Sequence, residues 1–237
     1  MLVTLFTLIS CGAGSVAMRD VETVANISKF KDKSIENVEI AEKALSEYSV
    51  EFEIPNPLTD AGSMYRRIDP NHEDKIICRA TLLDDVSSEA DILCQCSRDS
   101  LSVEECESFT KNYRDEKIRD GMFRIRVSME SGFSPKSMDP KHWVIYIENS
   151  KGNVIEPNDI VTSPVTTLED SIYSNYHRIN LPRKLLKRSF ELYFKQTTFF
   201  GEDLLSTNNP FIVLVFNREK RTLSRVAWKI SPEPGKK

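Results

Sequence analysis

No stretch of this chain approaches the ~18 consecutive apolar residues of a membrane-spanning helix, so the polypeptide itself is not expected to cross a bilayer. Histidine is scarce: His72, His142 and His177 are the only three. There is no His-Glu-x-x-His, no glycine-rich phosphate loop and no nucleophile elbow, the local patterns of zinc peptidases, phosphate-binding enzymes and many serine hydrolases. The histidines stand singly and read as surface or rim residues. Carboxylates are plentiful, but none sits in an apolar sequence setting that would raise its pKa toward catalytic values. No cysteine follows Cys106, so the Cys-Trp-Cys core of antibody domains is missing. No catalytic residue, cofactor or metal is therefore expected. The chain is acidic overall, at −4, and nucleic-acid binding is not expected either.

What is present is an ordinary globular composition. Charged residues make up 29% and apolar residues 40%, with 12 Phe, 7 Tyr and 2 Trp among 237 residues, enough for a sizeable core. The charge is unevenly spread. Residues 171–237 hold 13 Lys or Arg against 5 Asp or Glu, leaving 19 against 31 in the first 170. A basic patch attracts acidic glycans or lipid headgroups. The plainer reading is of solvated strand faces that complement the acidic half.

The first eleven residues are uncharged and apolar, ending in Leu8, Ile9, Ser10 and Cys11, after which come Gly12, Gly14 and Ser15. This resembles the end of a bacterial lipoprotein signal peptide, with Leu8, Ile9 and Ser10 filling the lipobox and Cys11 the lipidated position. The basic end that normally precedes the apolar core is missing, since the first basic residue is Arg19. The alternative is a buried N-terminal strand using Leu2, Phe6 and Leu8. The resemblance implies an exported protein anchored through lipid on Cys11, in the cell envelope, at the outer rather than the inner membrane of a Gram-negative cell. Residues 1–10 are then signal and 11–19 a small-residue tether.

Cys78, Cys94, Cys96 and Cys106 remain, an even set within 29 residues. In an exported protein this reads as a disulfide framework with three possible connectivities. Cys94-Gln95-Cys96 has one residue between its cysteines, where zinc sites usually have two to four. Lys75–Leu83 and Ala90–Ser97 read as a hairpin across Asp84–Glu89, which sets Cys78 opposite Cys94 and Cys96. Cys78 is then expected to pair with one of them, and the other with Cys106.

Residues 20–48 read as helix, with Val21, Val24, Ile27, Ile35, Val38, Ala41, Leu45 and Tyr48 mostly three or four apart. The stripe breaks at Lys31–Lys33, where Ser34 would cap a second helix. Ser102 and Glu105 form a capping box opening a helix to about Ile118, which ends before Gly121. From Met122 the period becomes two: Phe123, Ile125, Val127 and Met129 alternate with Arg124, Arg126 and Ser128. Trp143–Glu148, Val154–Ile155, Phe190–Phe194, Phe211–Phe216 and Val226–Ile230 read as further strands. Phe211–Phe216 is apolar enough to be buried on both faces. Residues 166–177 read as a long loop or short helix.

The expected fold class is α+β: a helix, a Cys-containing hairpin and a helix over residues 20–120, then an antiparallel β-sandwich of immunoglobulin-like size over 121–232 and a tail at 233–237. Its core should hold Phe123, Ile125, Val127, Trp143, Ile145, Phe190, Leu192, Phe194, Val213, Val215 and Trp228. The expected role is binding or scaffolding of a protein or glycan partner at the envelope, without catalysis. The alternatives are an envelope hydrolase with its site in the β-domain loops, and a subunit of an envelope assembly that docks through helix 20–48.

Overall fold

Alternating sequences become strands here wherever one side of a sheet can take the apolar set. The computed structural model describes residues 21–28, 37–55, 75–131, 135–174, 179–206, 208–218 and 221–231. Cys11 with its lipobox, Ser34, His72 and His177 lie outside them. The described chain is mixed α+β, with three α-helices and two sheets. The first sheet is ordered β1 (Thr23–Ser28), β11 (Arg221–Ser231), β10 (Phe211–Arg218), β5 (Val144–Asn149), β6 (Val154–Ile155). The second is ordered β2 (Ser49–Pro55), β3 (Lys75–Leu83), β4 (Met122–Ser131), β9 (Ile179–Lys195), β7 (Asp159–Thr162), with β8 (Thr166–Ser174) also on β9. The helices are α1 (Val38–Glu47), α2 (Asp85–Arg98) and α3 (Val103–Lys117).

The inner faces of the two sheets share one core. Phe52 of β2 meets Phe216 of β10 with ring centroids 5.4 Å apart, and Trp143 stands edge-on to the same ring at 5.8 Å. Trp228 is fully buried and donates its Nε1–H to the Tyr48 carbonyl at 2.9 Å. Every residue expected in the core is buried. Val213 and Val215, however, face the other way and join Phe211 and Ala227 in a second cluster. That is why β10 reads as a continuous apolar run: both of its faces are covered. An Arg225–Glu148 ion pair of 2.7 Å spans the outer face, each partner standing beside one of these valines in the register.

Several expectations are corrected. Residues 20–48 are not helical throughout. Thr23–Ser28 is a strand with Ala25 and Ile27 inward, and α1 begins only after Asn37, whose Oδ1 accepts from Ile40 N at 3.0 Å. Ala90–Ser97 is not a strand but lies within α2. Asp84 and Ser87 cap that helix reciprocally, at 2.9 and 2.8 Å, with serine in the slot where glutamate is the recognised signal. Ala90 and Cys94 of α2 pack on α1, while Ile92 and Cys96 pack toward α3. A helix buried on two sides has apolar residues at 90, 92, 94 and 96, and so imitates strand alternation. Residues 166–174 are a strand rather than a loop or helix. The sheets are not purely antiparallel, because β1 runs parallel to β11. The change of period at Met122 does not divide two cores: β4 pairs with β3 across it, and β1 with β11.

Candidate functional site

The outer face of the second sheet carries the polar halves of its alternating strands. Thr81, Arg126 and Glu191 stand side by side on β3, β4 and β9; Leu83, Arg124 and Tyr193 form the next rank, and Arg79, Ser128 and Ser189 the rank on the other side. Helices α2 and α3 lie over this face, so residues that alternation would put in water are covered.

Asp91 of α2 is the hub. Its carboxylate accepts from Arg126 Nη1 at 2.8 Å and from Gln95 Nε2 at 2.8 Å, and also from Arg126 Nη2 and the Tyr113 hydroxyl of α3. Tyr113 in turn accepts from Arg124, whose guanidinium lies 4.8 Å from the Tyr113 ring centre. Glu191 completes the group: Lys117 Nζ reaches it at 3.1 Å, Tyr193 OH at 3.0 Å, Arg126 Nε at 3.5 Å and Arg124 Nη1 at 3.6 Å. Asp91, Tyr113, Arg124 and Glu191 are all buried.

Burial pushes the Asp91 carboxyl upward, but the hydrogen bonds and charge of Arg126, then Tyr113 and Arg124, outweigh it and hold the group below its ordinary value. Glu191 behaves alike, with burial opposed and overcome by Arg124, Arg126 and Lys117. Burial, with the Asp91 charge beside it, raises the Tyr113 phenol. Both carboxyls are therefore held in their charged form, in fixed contact with Arg124, Arg126 and Lys117. The cluster positions charge well and offers no basic group poised for proton transfer.

Beside the cluster runs a groove of about 1080 Å³ between the sheet face and the two helices. Arg126 and Glu191 contribute to its floor, as do the exposed Glu51 and Arg79, while Arg98 and Glu116 bring exposed charges from the helices and Phe109 a half-buried ring. Planar polar groups around an aromatic ring suit a polar, extended ligand. A second cavity, about 680 Å³, is lined by Leu93, Leu101, Val103 and the α2–α3 disulfide. It lacks the buried polar groups that would orient a ligand.

The cysteines separate. Cys96 and Cys106 are bonded, tying the end of α2 to the start of α3 across a Cα separation of 5.5 Å. The pairing of Cys106 with a member of the Cys94–Cys96 segment is thus present. The pairing of Cys78 within that segment is not, and Cys78 and Cys94 are free thiols. Cys78 points into the inner core from β3, in register with Phe52 and Met129, whereas Cys94 sits on the helix layer beyond the other face. The sheet lies between them. Burial raises both thiols above their ordinary value.

His142 is exposed at the end of the 3-10 turn Pro140–His142 and is not brought to the groove. Among the described residues no group of three or more His, Cys, Asp or Glu is placed to hold a metal. Asp91, Tyr113, Arg124, Arg126 and Glu191 were not singled out from the sequence. The only trace was Arg124-x-Arg126 on one face of a strand, which looks the same whether water or a helix covers it. Compared with known protein families and with curated proteins, the sequence matches none.

Proposed function

We propose that this chain is a binding or scaffolding protein of the bacterial cell envelope, held at a membrane by lipid on Cys11, which takes its partner in the groove over the second sheet. The two sheets are read as an open sandwich, with the helix layer added to one outer face. The observation that carries the binding role is the closure of the charged cluster. Each carboxylate in it already accepts from two or more donors, so its chemistry is spent on holding shape. The exposed charges of Arg79, Arg98, Glu51 and Glu116 remain in the groove to meet a polar ligand, a peptide strand or an oligosaccharide. The anchor reading rests on Leu8, Ile9, Ser10 and Cys11 and on the small residues that follow. The two or three acyl chains of a lipoprotein N-terminus hold firmly, at ~0.8 kcal/mol per buried methylene.

Labelling cells with a clickable fatty acid is expected to mark the wild type and not Cys11→Ser; equal label in both, or none in either, removes the anchor. For the groove, a thermal-shift screen with short peptides and with neutral and acidic oligosaccharides is expected to find stabilising ligands. Their effect should be lost in Arg79→Ala/Arg98→Ala. Cleavage of any of them by the wild type would favour an envelope hydrolase instead.

A further inference from the structure

Phe199 and Phe200 are 98% and 84% exposed, side by side at the apex of a turn between β9 and β10. Large apolar side chains left in water are informative when they are adjacent and held in place. These are held. Thr197 bridges to Asp203, Thr198 N donates to the Glu202 carbonyl at 2.8 Å, and Gly201 N donates to the Thr198 carbonyl at 2.9 Å. Gly201 takes φ +78°, a conformation that favours glycine. Below the turn Leu204 is buried in the common core, and its N–H donates to the Gln196 carbonyl at 2.8 Å. The two rings meet edge to face at 5.6 Å. Nothing in the groove or the charged cluster uses them.

We propose that this tip inserts its two phenyl rings into the surface of an uncharged phospholipid bilayer. Three observations favour a bilayer over a protein pocket. Among the described residues the pair is an isolated protrusion flanked by Thr198, Gly201, Glu202 and Asp203. Two phenyl side chains bury ~150–250 Å² each, well short of the ~800 Å² per partner of a specific protein interface, whereas a bilayer needs no matching surface. The nearby charges balance: Lys151 pairs with Glu202, and Lys195 and Asp203 are both exposed. Among the described residues, attraction to anionic lipid therefore has no source here. Finally, the chain length allows it, on the reading that Cys11 carries lipid. β1 runs parallel to β11, with Thr23 level with Val226, and Pro210 at the base of the loop lies beside Ile230. Four strand residues separate those levels, ~13 Å. The ten peptide links from Cys11 to Val21 span up to ~33 Å, more than the ~13 Å between those two levels.

The test uses full-length Cys11→Ser protein, which carries no lipid, so that failure of the anchor and failure of the tip are separate results. With phosphatidylcholine vesicles, flotation is expected to show binding that falls about tenfold for Phe199→Ser and about a hundredfold for Phe199→Ser/Phe200→Ser, with unchanged melting temperature. Because residues 2–9 are themselves apolar, a second measurement reads the tip alone. In Phe199→Trp, the fluorescence of the added indole is expected to shift to the blue and to be quenched by brominated phosphatidylcholine, while the buried Trp143 and Trp228 are not. Vesicle-bound Phe199→Trp protein whose added indole escapes quenching overturns the proposal. So does binding unchanged by the serine pair, or binding that requires anionic lipid and vanishes in salt. Self-association lost in the serine pair, without any effect on vesicles, assigns the tip to a protein contact and overturns it as well.

Discussion

Asp91→Ala is the sharpest test of the charged cluster. In the native protein its carboxylate is buried and accepts from both terminal nitrogens of Arg126, from Tyr113 and from Gln95. Removing it leaves the Arg126 guanidinium with Glu191 at 3.5 Å as its remaining charge partner and strips the Tyr113 hydroxyl of its acceptor. Breaking one side of a buried pair costs about 3–5 kcal/mol, mostly as the penalty on the charge left behind. Arg126 keeps a quarter of its side chain exposed, which places the expected loss at the lower end, about 3 kcal/mol. Asp91→Asn keeps the shape and loses the charge, so a smaller loss of about 1.5–3 kcal/mol is expected. In a chain of this size 1 kcal/mol moves the melting temperature by about 2–4 °C, giving a fall of roughly 6–12 °C for alanine. Urea unfolding of wild type, Asp91→Ala, Arg126→Ala and Asp91→Ala/Arg126→Ala supplies the free energies and a coupling term. That coupling should reach at least about 1.5 kcal/mol, the cost of Asp91→Ala being largely absent once Arg126 is gone. Asp91→Leu/Arg126→Met should sit near wild type, since a buried pair is costly to break and cheap to replace. A loss below ~1 kcal/mol for Asp91→Ala, or no coupling, would falsify the account of α2 locked to the sheet.

Stability should fall as pH drops below ~4.5. Asp91 and Glu191 are held low in the folded state, so their contribution is present above the unfolded values and lost as pH falls through the folded ones. Asp84, raised by burial, acts in the opposite sense; Asp84→Asn should therefore steepen the acid transition measured by far-UV circular dichroism. Replacing Cys96 and Cys106 by serine opens a loop of ten residues and should cost about 2.5–3 kcal/mol by urea denaturation, with reduction of the wild type giving the same loss. Trp228→Ala should cost about 3–5 kcal/mol, because a fully buried indole and its hydrogen bond to Tyr48 both go. Residues 121–232 alone should show no cooperative melt in calorimetry: that fragment lacks β1 and β3, which pair with β11 and β4. A sharp transition would show that the shared core is dispensable.

Much of the strand layout was legible, for a local reason. On β4 and β9, side chains point alternately to a dry and a polar side, and Phe123, Ile125 and Val127 or Phe190, Leu192 and Phe194 record that directly. The α3 cap was equally local, since Ser102 and Glu105 bond each other's backbone within one turn. The errors came where burial was not one-sided. α2 is covered on two faces and imitates a strand, and β1 was absorbed into a helical pattern because Val24 and Ile27 are three apart.

By itself, then, the sequence determined most strands of the β-rich half, β7 and β8 excepted, where α3 begins, and a core set headed by Phe123, Phe190 and Trp228, because each leaves an alternating or capping pattern within a few residues. Tertiary structure decided the rest. Whether Arg126 meets water or Asp91 depends on a helix more than thirty residues away, and Arg124 meets Tyr113 only because α3 lies over the same face. Whether Cys78 is beside Cys94 depends on which face of the sheet each occupies. That β1 joins β11, almost the whole chain apart, is a matter of closing the sheet edge. The exposure of Phe199 and Phe200 follows the same rule. Nothing in the two residues themselves shows that the turn holding them stands clear of the core.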